Sequence, residues 1–299
     1  MLGGLNRRKD KSAPFIQDFT PFGHRGAPRI FPENTIESFR AAQEILPGCL
    51  LETDVRMTKD GHMVMMHDES LESGTDGRGR VMEKTLADVR KCKAGYHVSF
   101  DGGKSFPFRD MNCRIPTFEE FLDAFPDAKS SVDVKDNNRE AAERTAMIVK
   151  NMRAEDRVII GSFHERVIAF IRKRFSSCRT SFSKLDVIRF LLFAKVGLAG
   201  NFRFAGEALF IPEYLGTEDG SEPRHGQLRA MRIITPRLIR AAHQRGVPVV
   251  AWTINEREAM ERLMEWGIDG IVTDRIDLLK EVMEMRGMKV SSQELRNTR

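Results

Sequence analysis

Strand-forming and helix-forming segments alternate about eight times along the 299 residues, which predicts a (β/α)8 TIM barrel, a parallel sheet closed on itself inside a ring of helices. Two further observations support it. The chain is 41% hydrophobic, enough at 34.1 kDa to bury one large core. Polar side chains also stand at or near the ends of apolar runs: His24 closes FTPFGH, Glu52 and Asp54 lie in LLETDVR, and His67 closes HMVMMH. When successive strands run parallel in a barrel, such ends converge on one rim.

In order along the chain, residues 1–18 read as a polar, basic arm, 19–282 as the barrel domain and 283–299 as a polar tail. FTPFGH makes the first strand, and Asn34 with Glu37 three residues later forms a capping box for a helix through Ala42. LLETDVR is the second strand, and after the turn Lys59-Asp60-Gly61 the run HMVMMH is the next. Residues 68–115, rich in glycine and aromatics with little periodicity, read either as an insertion over the C-terminal rim or as a surface excursion. Alternation resumes with Thr117 and Glu120 capping a helix through Ala124, then the strand SSVDVK, in which Asp133 and Lys135 share a face. A helix over 139–152, the strand VIIGSF, a helix over 164–175 and a short strand over 180–182 follow. Next come the helix around LDVIRFLLFAKVGL, the strand ALFIPE and a helix opened by Thr235 and Pro236. VPVVAWT, a helix to Trp266 capped by Asn255 and Glu258, and GIVTD complete the series.

The net charge of +5 is unevenly spread. Residues 172–203 hold eight basic residues against one acidic, and both ends of the chain are basic, so the remainder is acidic in balance. A local anionic partner fits this pattern better than a nucleic-acid groove, for which no motif is present. The helix inside the basic stretch is apolar almost all round and too short to span a bilayer. It reads either as an interfacial patch giving peripheral membrane contact through 172–203, or as a barrel helix covered by further protein. The four cysteines, Cys49, Cys92, Cys113 and Cys178, lack paired spacing, which argues against a disulfide framework or a zinc site. The N-terminal charges have no apolar run behind them, so no signal peptide is expected and the expected location is cytoplasmic. Oligomeric state is left open.

Glu52 and Asp54 point to one face of a strand flanked by Leu50, Leu51 and Val55. Two carboxylates brought together away from water repel, and a divalent cation or pairing with Arg25 or Arg56 would relieve them. The segments His24-Arg25-Gly26, Pro32-Glu33-Asn34-Thr35, Glu52-x-Asp54, Thr58-Lys59-Asp60-Gly61 and His67-Asp68, in that order and at those separations, resemble the glycerophosphodiester phosphodiesterases. The resemblance extends from Phe22 to Leu279 and is strong again in AWTIN and DGIVTDR. It implies that His24 and His67 are the catalytic acid–base pair and that Glu52, Asp54 and Asp133 bind a metal. The family usually has Glu where this chain has Asp133, a side chain one methylene shorter, and Pro where it has Ile276. An all-oxygen ligand set suits Mg2+ or Ca2+ rather than zinc. Arg25 and Lys135 would hold the phosphate, arginine by gripping two oxygens and lysine as a point charge. Trp252 reads either as a wall of the substrate pocket or as core packing. His62, His97, His164, His225 and His243 lack such motif neighbours and read as capped or solvated.

The expected function is metal-dependent hydrolysis of a glycerophosphodiester, a small-molecule substrate, to glycerol 3-phosphate and an alcohol. The alternatives are a lysophospholipase D with the same chemistry on an acylated substrate, and a catalytically silent barrel that binds phosphodiesters. Which alcohol leaves, which histidine gives the proton and whether water or a substrate hydroxyl attacks stay open.

Overall fold

The structure is a computed structural model and describes residues 14–16, 18–195, 205–215 and 231–288. His225, most of the basic arm, the last residues of the LDVIRFLLFAKVGL segment and the tail from 289 lie outside the described residues.

The strands are β1 (Thr20–His24), β2 (Leu50–Met57), β3 (Met63–Met65), β4 (Ser130–Val134), β5 (Val158–Gly161), β6 (Arg179–Thr180), β7 (Leu209–Pro212), β8 (Tyr214–Leu215), β9 (Met231–Arg232), β10 (Val249–Trp252) and β11 (Gly270–Thr273). The helices are α1 (Ile36–Ile45), α2 (Leu86–Val89), α3 (Phe118–Ala124), α4 (Arg139–Asn151), α5 (Glu165–Arg174), α6 (Lys184–Lys195), α7 (Pro236–His243), α8 (Arg257–Glu265) and α9 (Ile276–Met285). The wall of the barrel has the order β6-β5-β4-β2-β1-β11-β10-β7, with parallel neighbours throughout. Its two edges meet: Glu207 N donates to Thr180 O at 2.8 Å and Phe182 N to Ala208 O at 3.1 Å. The expected TIM-barrel-like α/β fold results.

Alternation along each strand sorts the core into two compartments. On β2, Leu51 and Val55 turn outward to the helices, where Phe39, Phe118, Phe121 and Leu122 are fully buried. Leu50 turns inward and packs with Phe22 of β1, Ile159 of β5, Val250 of β10 and Val272 of β11. Removing a ring such as Phe22 or Phe39 would cost about 3–5 kcal/mol. Two positions beyond this apolar layer, the same inward face turns polar or aromatic: His24 follows Phe22, Glu52 and Asp54 follow Leu50, Asp274 follows Val272, and Trp252 follows Val250. Strand period therefore stacks the candidate site on an apolar floor.

Several local expectations are corrected. HMVMMH is not a barrel strand: β3 runs antiparallel to β2, pairing Val55 with Met65 and Met57 with Met63. The connection over 58–62 is too short for a parallel crossover, which takes about a dozen residues. Thr35, not Asn34, caps α1, its side chain accepting from Ser38 N. Glu256, not Asn255, is the cap residue of α8, without a side-chain bond. The end of the basic arm is packed on the barrel. Phe15 and Ile16 are buried in the barrel's inner apolar cluster, and Lys129 Nζ donates to the Phe15 carbonyl at 2.9 Å. The small antiparallel pair of β8 and β9 was not anticipated, and α9 continues to Met285 with Met283 buried. The glycine-rich stretch after His67 packs around its own apolar cluster of Leu71, Val81, Val89, Ala94, Phe108, Cys113 and Ile115, joined to Val64 and Met66.

Candidate active site

The site grows from β1, β2, β4 and β11, which are contiguous in the wall. His24 ends β1, and its Nδ1 lies 2.6 Å from Asp274 Oδ1, just past the end of β11. Asp274 is held in turn by Asn255, whose Nδ2 donates to Asp274 Oδ2 at 2.7 Å and whose Oδ1 accepts from Asp274 N at 2.9 Å. Burial opposes charge on His24, yet the Asp274 hydrogen bond and the Glu52 charge outweigh it and raise the pKa. Burial in turn disfavours the charged Asp274 carboxylate, but the bond from His24 holds its pKa below the usual range.

His67 reaches the site by the β2–β3 hairpin instead of a parallel strand. Its Nδ1 is 2.7 Å from Asp68 Oδ1, and its carbonyl accepts from Arg56 Nε at 2.8 Å. Arg56 is braced by Asp136, which takes a guanidinium bond at 3.1 Å and the Met57 N–H at 2.7 Å. Burial and the Arg25 charge lower the His67 pKa. The two imidazoles thus share one arrangement, a carboxylate on Nδ1, in opposite electrostatic surroundings.

Asp54 is the best compensated of the acids. Lys135 Nζ lies 2.9 Å away, Arg25 Nε 3.1 Å and Asn34 Nδ2 3.2 Å. Its burial favours the neutral acid, but Lys135 and Arg25 drive the pKa down. Glu52 is different: Arg25 N approaches at 3.4 Å and His24 Nε2 at 3.8 Å, and burial together with the Asp54 charge raises its pKa. Asp54 and Asp133 are direct partners across β2 and β4, and Lys135 Nζ, 2.7 Å from Asp133 Oδ2, spans the two. Burial works against the charged Lys135, while Asp133 and Asp54 together raise its pKa.

Arg25 grips Glu33 through Nη1, with both carboxylate oxygens at 3.0 Å. Its buried Nε has no aligned hydrogen-bond partner, so its approach to Asp54 is an ion pair only. The loop is tight enough to need Gly26, which has φ +95 and where a Cβ would come within 2.6 Å of the Ser38 backbone.

A hard cation suits these donors: all are carboxylate oxygens, and burial together with the Asp54 charge opposes ionisation of Glu52. The expected trio is nonetheless not drawn into a ready ligand set. Among the described residues no three His, Cys, Asp or Glu side chains are gathered to hold one ion. Lys135 Nζ stands between Asp54 and Asp133, within ion-pair distance of both.

Of the remaining residues, Trp252 is half-buried and meets Phe163 edge-on at 5.7 Å. Phe163, 56% exposed and two residues past β5, also lies 5.7 Å from Lys135 Nζ. Sequence reasoning missed Phe163, although its place two positions beyond Gly161 on the inward period of VIIGSF was a usable signal. His164 Nε2 bonds the Lys135 carbonyl at 3.1 Å, which fits its reading as a capped side chain.

Two titratable imidazoles beside fixed cations at a barrel rim equip a protein to hydrolyse an anionic ester. Comparison narrows this class. The model of the glycerophosphoryl diester phosphodiesterase family matches residues 24–278, and the chain belongs to that family of phosphoric diester hydrolases. It is 32% identical over 269 residues to a probable glycerophosphodiester phosphodiesterase 2 of Mycobacterium tuberculosis, covering 88% of this chain and 90% of the relative. The glycerophosphoryl diester phosphodiesterase domain of an uncharacterized Mycobacterium tuberculosis protein shares the fold at TM-score 0.75 and 19% identity, over 90% of this chain and 100% of that one. An Oleispira antarctica phosphodiesterase, solved in complex with its product sn-glycerol-3-phosphate, shares it at TM-score 0.67 and 18% identity, over 90% and 98%. No helix among the described residues is long and apolar enough to cross a membrane.

Proposed function

We propose that the chain hydrolyses a glycerophosphodiester to glycerol 3-phosphate and an alcohol, with His24 and His67 as the acid–base pair. The observation that carries this reading is the pairing of each imidazole through Nδ1 with a carboxylate, Asp274 or Asp68. A neutral imidazole that donates Nδ1–H keeps its lone pair on Nε2, so each Nε2 is the atom that takes up or returns a proton. One histidine accepts a proton from the attacking oxygen, of water or of a substrate hydroxyl, as it bonds to phosphorus, while the other, protonated, gives its proton to the alcohol oxygen whose bond to phosphorus breaks. Where the substrate hydroxyl attacks, water then opens the cyclic phosphate to glycerol 3-phosphate. Arg25 and Lys135 offset charge on the non-bridging phosphate oxygens. Trp252 forms one wall for the substrate.

Glu52, Asp54 and Asp133 would hold a divalent cation, Mg2+ or Ca2+, which would supply Lewis-acid polarisation of the phosphate. The product-bound relative supports glycerol 3-phosphate as the product here.

The test is turnover of glycerophosphocholine beside lysophosphatidylcholine, with Mg2+ and Ca2+ in parallel. Glycerol 3-phosphate should appear from the first substrate, EDTA should abolish it, and His67→Ala should lower it by about a hundredfold or more. Turnover indifferent to EDTA would remove the metal assignment. Lysophosphatidic acid as the sole product would move the substrate to lysophospholipids, and no product from either would leave a binding barrel.

A further inference from the structure

A barrel helix buries one face on the sheet and shows a polar one to water, as α4 does with exposed Arg139, Glu140, Arg144 and Lys150. Helix α6 departs from this rule. Its inward face is anchored by fully buried Phe190, with Val187, Leu191, Phe193 and Ala194 packed on the main core. Its outward face carries Leu185, Ile188 and Leu192 at 42%, 43% and 60% exposure. These residues stand three and four apart, so they form one continuous apolar stripe along the helix.

The stripe is edged by charge of one sign. Exposed Lys184 and Arg189 flank it, and the last turn of the preceding helix adds exposed Lys173 and Arg174. Asp186, the acid within α6, is turned to Arg172 at 2.8 Å and to Ser183 N at 3.1 Å, so its charge is already used. In a parallel barrel the helix after a strand begins at the strand's C-terminal end, so the first turn of α6 lies at the same rim as the candidate site.

We infer that the outward face of α6 docks on an anionic membrane surface, its leucine and isoleucine side chains entering the headgroup boundary and its cations meeting lipid phosphates. Apolar groups edged by Lys and Arg are the chemistry that such an interface selects. A second copy of the chain fits less well, because a self-complementary contact through this stripe would bring the same flanking cations near one another.

The test uses the full chain and vesicles of phosphatidylcholine, with and without phosphatidylglycerol, in a co-sedimentation assay. The chain should sediment with the anionic vesicles and not with phosphatidylcholine alone, and binding should weaken as salt is raised. Ile188→Glu with Leu192→Glu should reduce partitioning by about tenfold or more, and Arg189→Glu should reduce it less. None of these should alter turnover of soluble glycerophosphocholine. Failure to sediment with anionic vesicles would overturn the inference, as would a stable dimer dissociated by the same substitutions. Sedimentation needs no catalysis, so its outcome is separate from that of the hydrolase assay.

Discussion

The arc β4-β2-β1-β11 and the seam between β6 and β7 are built from the same barrel plan but carry different loads. In the arc, β2 runs for eight residues and shares five register pairs with β4. At the seam, β6 is two residues long and meets the segment before β7 through two backbone hydrogen bonds. The arc has room for an apolar layer below and a polar layer above, and supplies His24, Glu52, Asp54, Asp133, Lys135 and Asp274. Neither β6 nor β7 supplies a candidate site residue. Strand length alone does not decide this, since β11 and β7 are both four residues long; what differs is that polar side chains follow the apolar layer on the arc.

Four substitutions sharpen or break this contrast, taken from the largest expected effect downward. Asp54→Ala strips Arg25 and Lys135 of their shared buried partner and should lower unfolding free energy by about 3–5 kcal/mol in urea titration, with loss of turnover. Wild-type stability would break the arc's claim to be an electrostatic unit. Asp274→Asn should lower kcat by about a hundredfold by loosening His24. It should also lower the His24 pKa, since Asp274 raises it, so an NMR titration midpoint moving upward would refute the assignment. Gly206→Ala tests the seam. A Cβ there would lie 2.7 Å from Phe182 N, so stability should fall by about 2 kcal/mol while kcat of the folded fraction is kept. Arg56→Gln should be mildest, lowering kcat/KM by about fivefold through the backbone of His67 with the His24 pKa unmoved.

Much of the arc is legible in the letters. Period 2 places Glu52 beside Asp54 on one face and Asp133 beside Lys135, and the motif neighbours single out His24 and His67. What local pattern cannot supply is direction and partner. A short apolar run such as HMVMMH reads alike whether it pairs parallel or antiparallel, and only the brevity of the preceding connection tells them apart. Asn34 and Asn255 are the instructive pair. Each precedes a helix with Glu three residues on, the pattern of a capping box, yet each turns back to a site carboxylate, Asp54 or Asp274. An asparagine at a strand–helix junction can accept from a local backbone N–H through its oxygen or donate to a distant carboxylate through its nitrogen, and the fold decides between them. Asp133 illustrates a different limit: the family resemblance implied three acids, but the tie that Lys135 makes between Asp54 and Asp133 follows from side-chain reach.

The backbone at Arg25 and Asn34 is left-handed, with φ of 52 and 57. Such a conformation costs a non-glycine residue about 1 kcal/mol, and glycine would relieve it at either place. The guanidinium beside Asp54 and the amide on Asp54 would vanish with that relief. A screen for thermal tolerance alone should therefore keep Arg25 and Asn34 against glycine, because stripping partners from the buried Asp54 carboxylate costs more, about 3–5 kcal/mol for a broken buried ion pair, than the relaxed backbone returns.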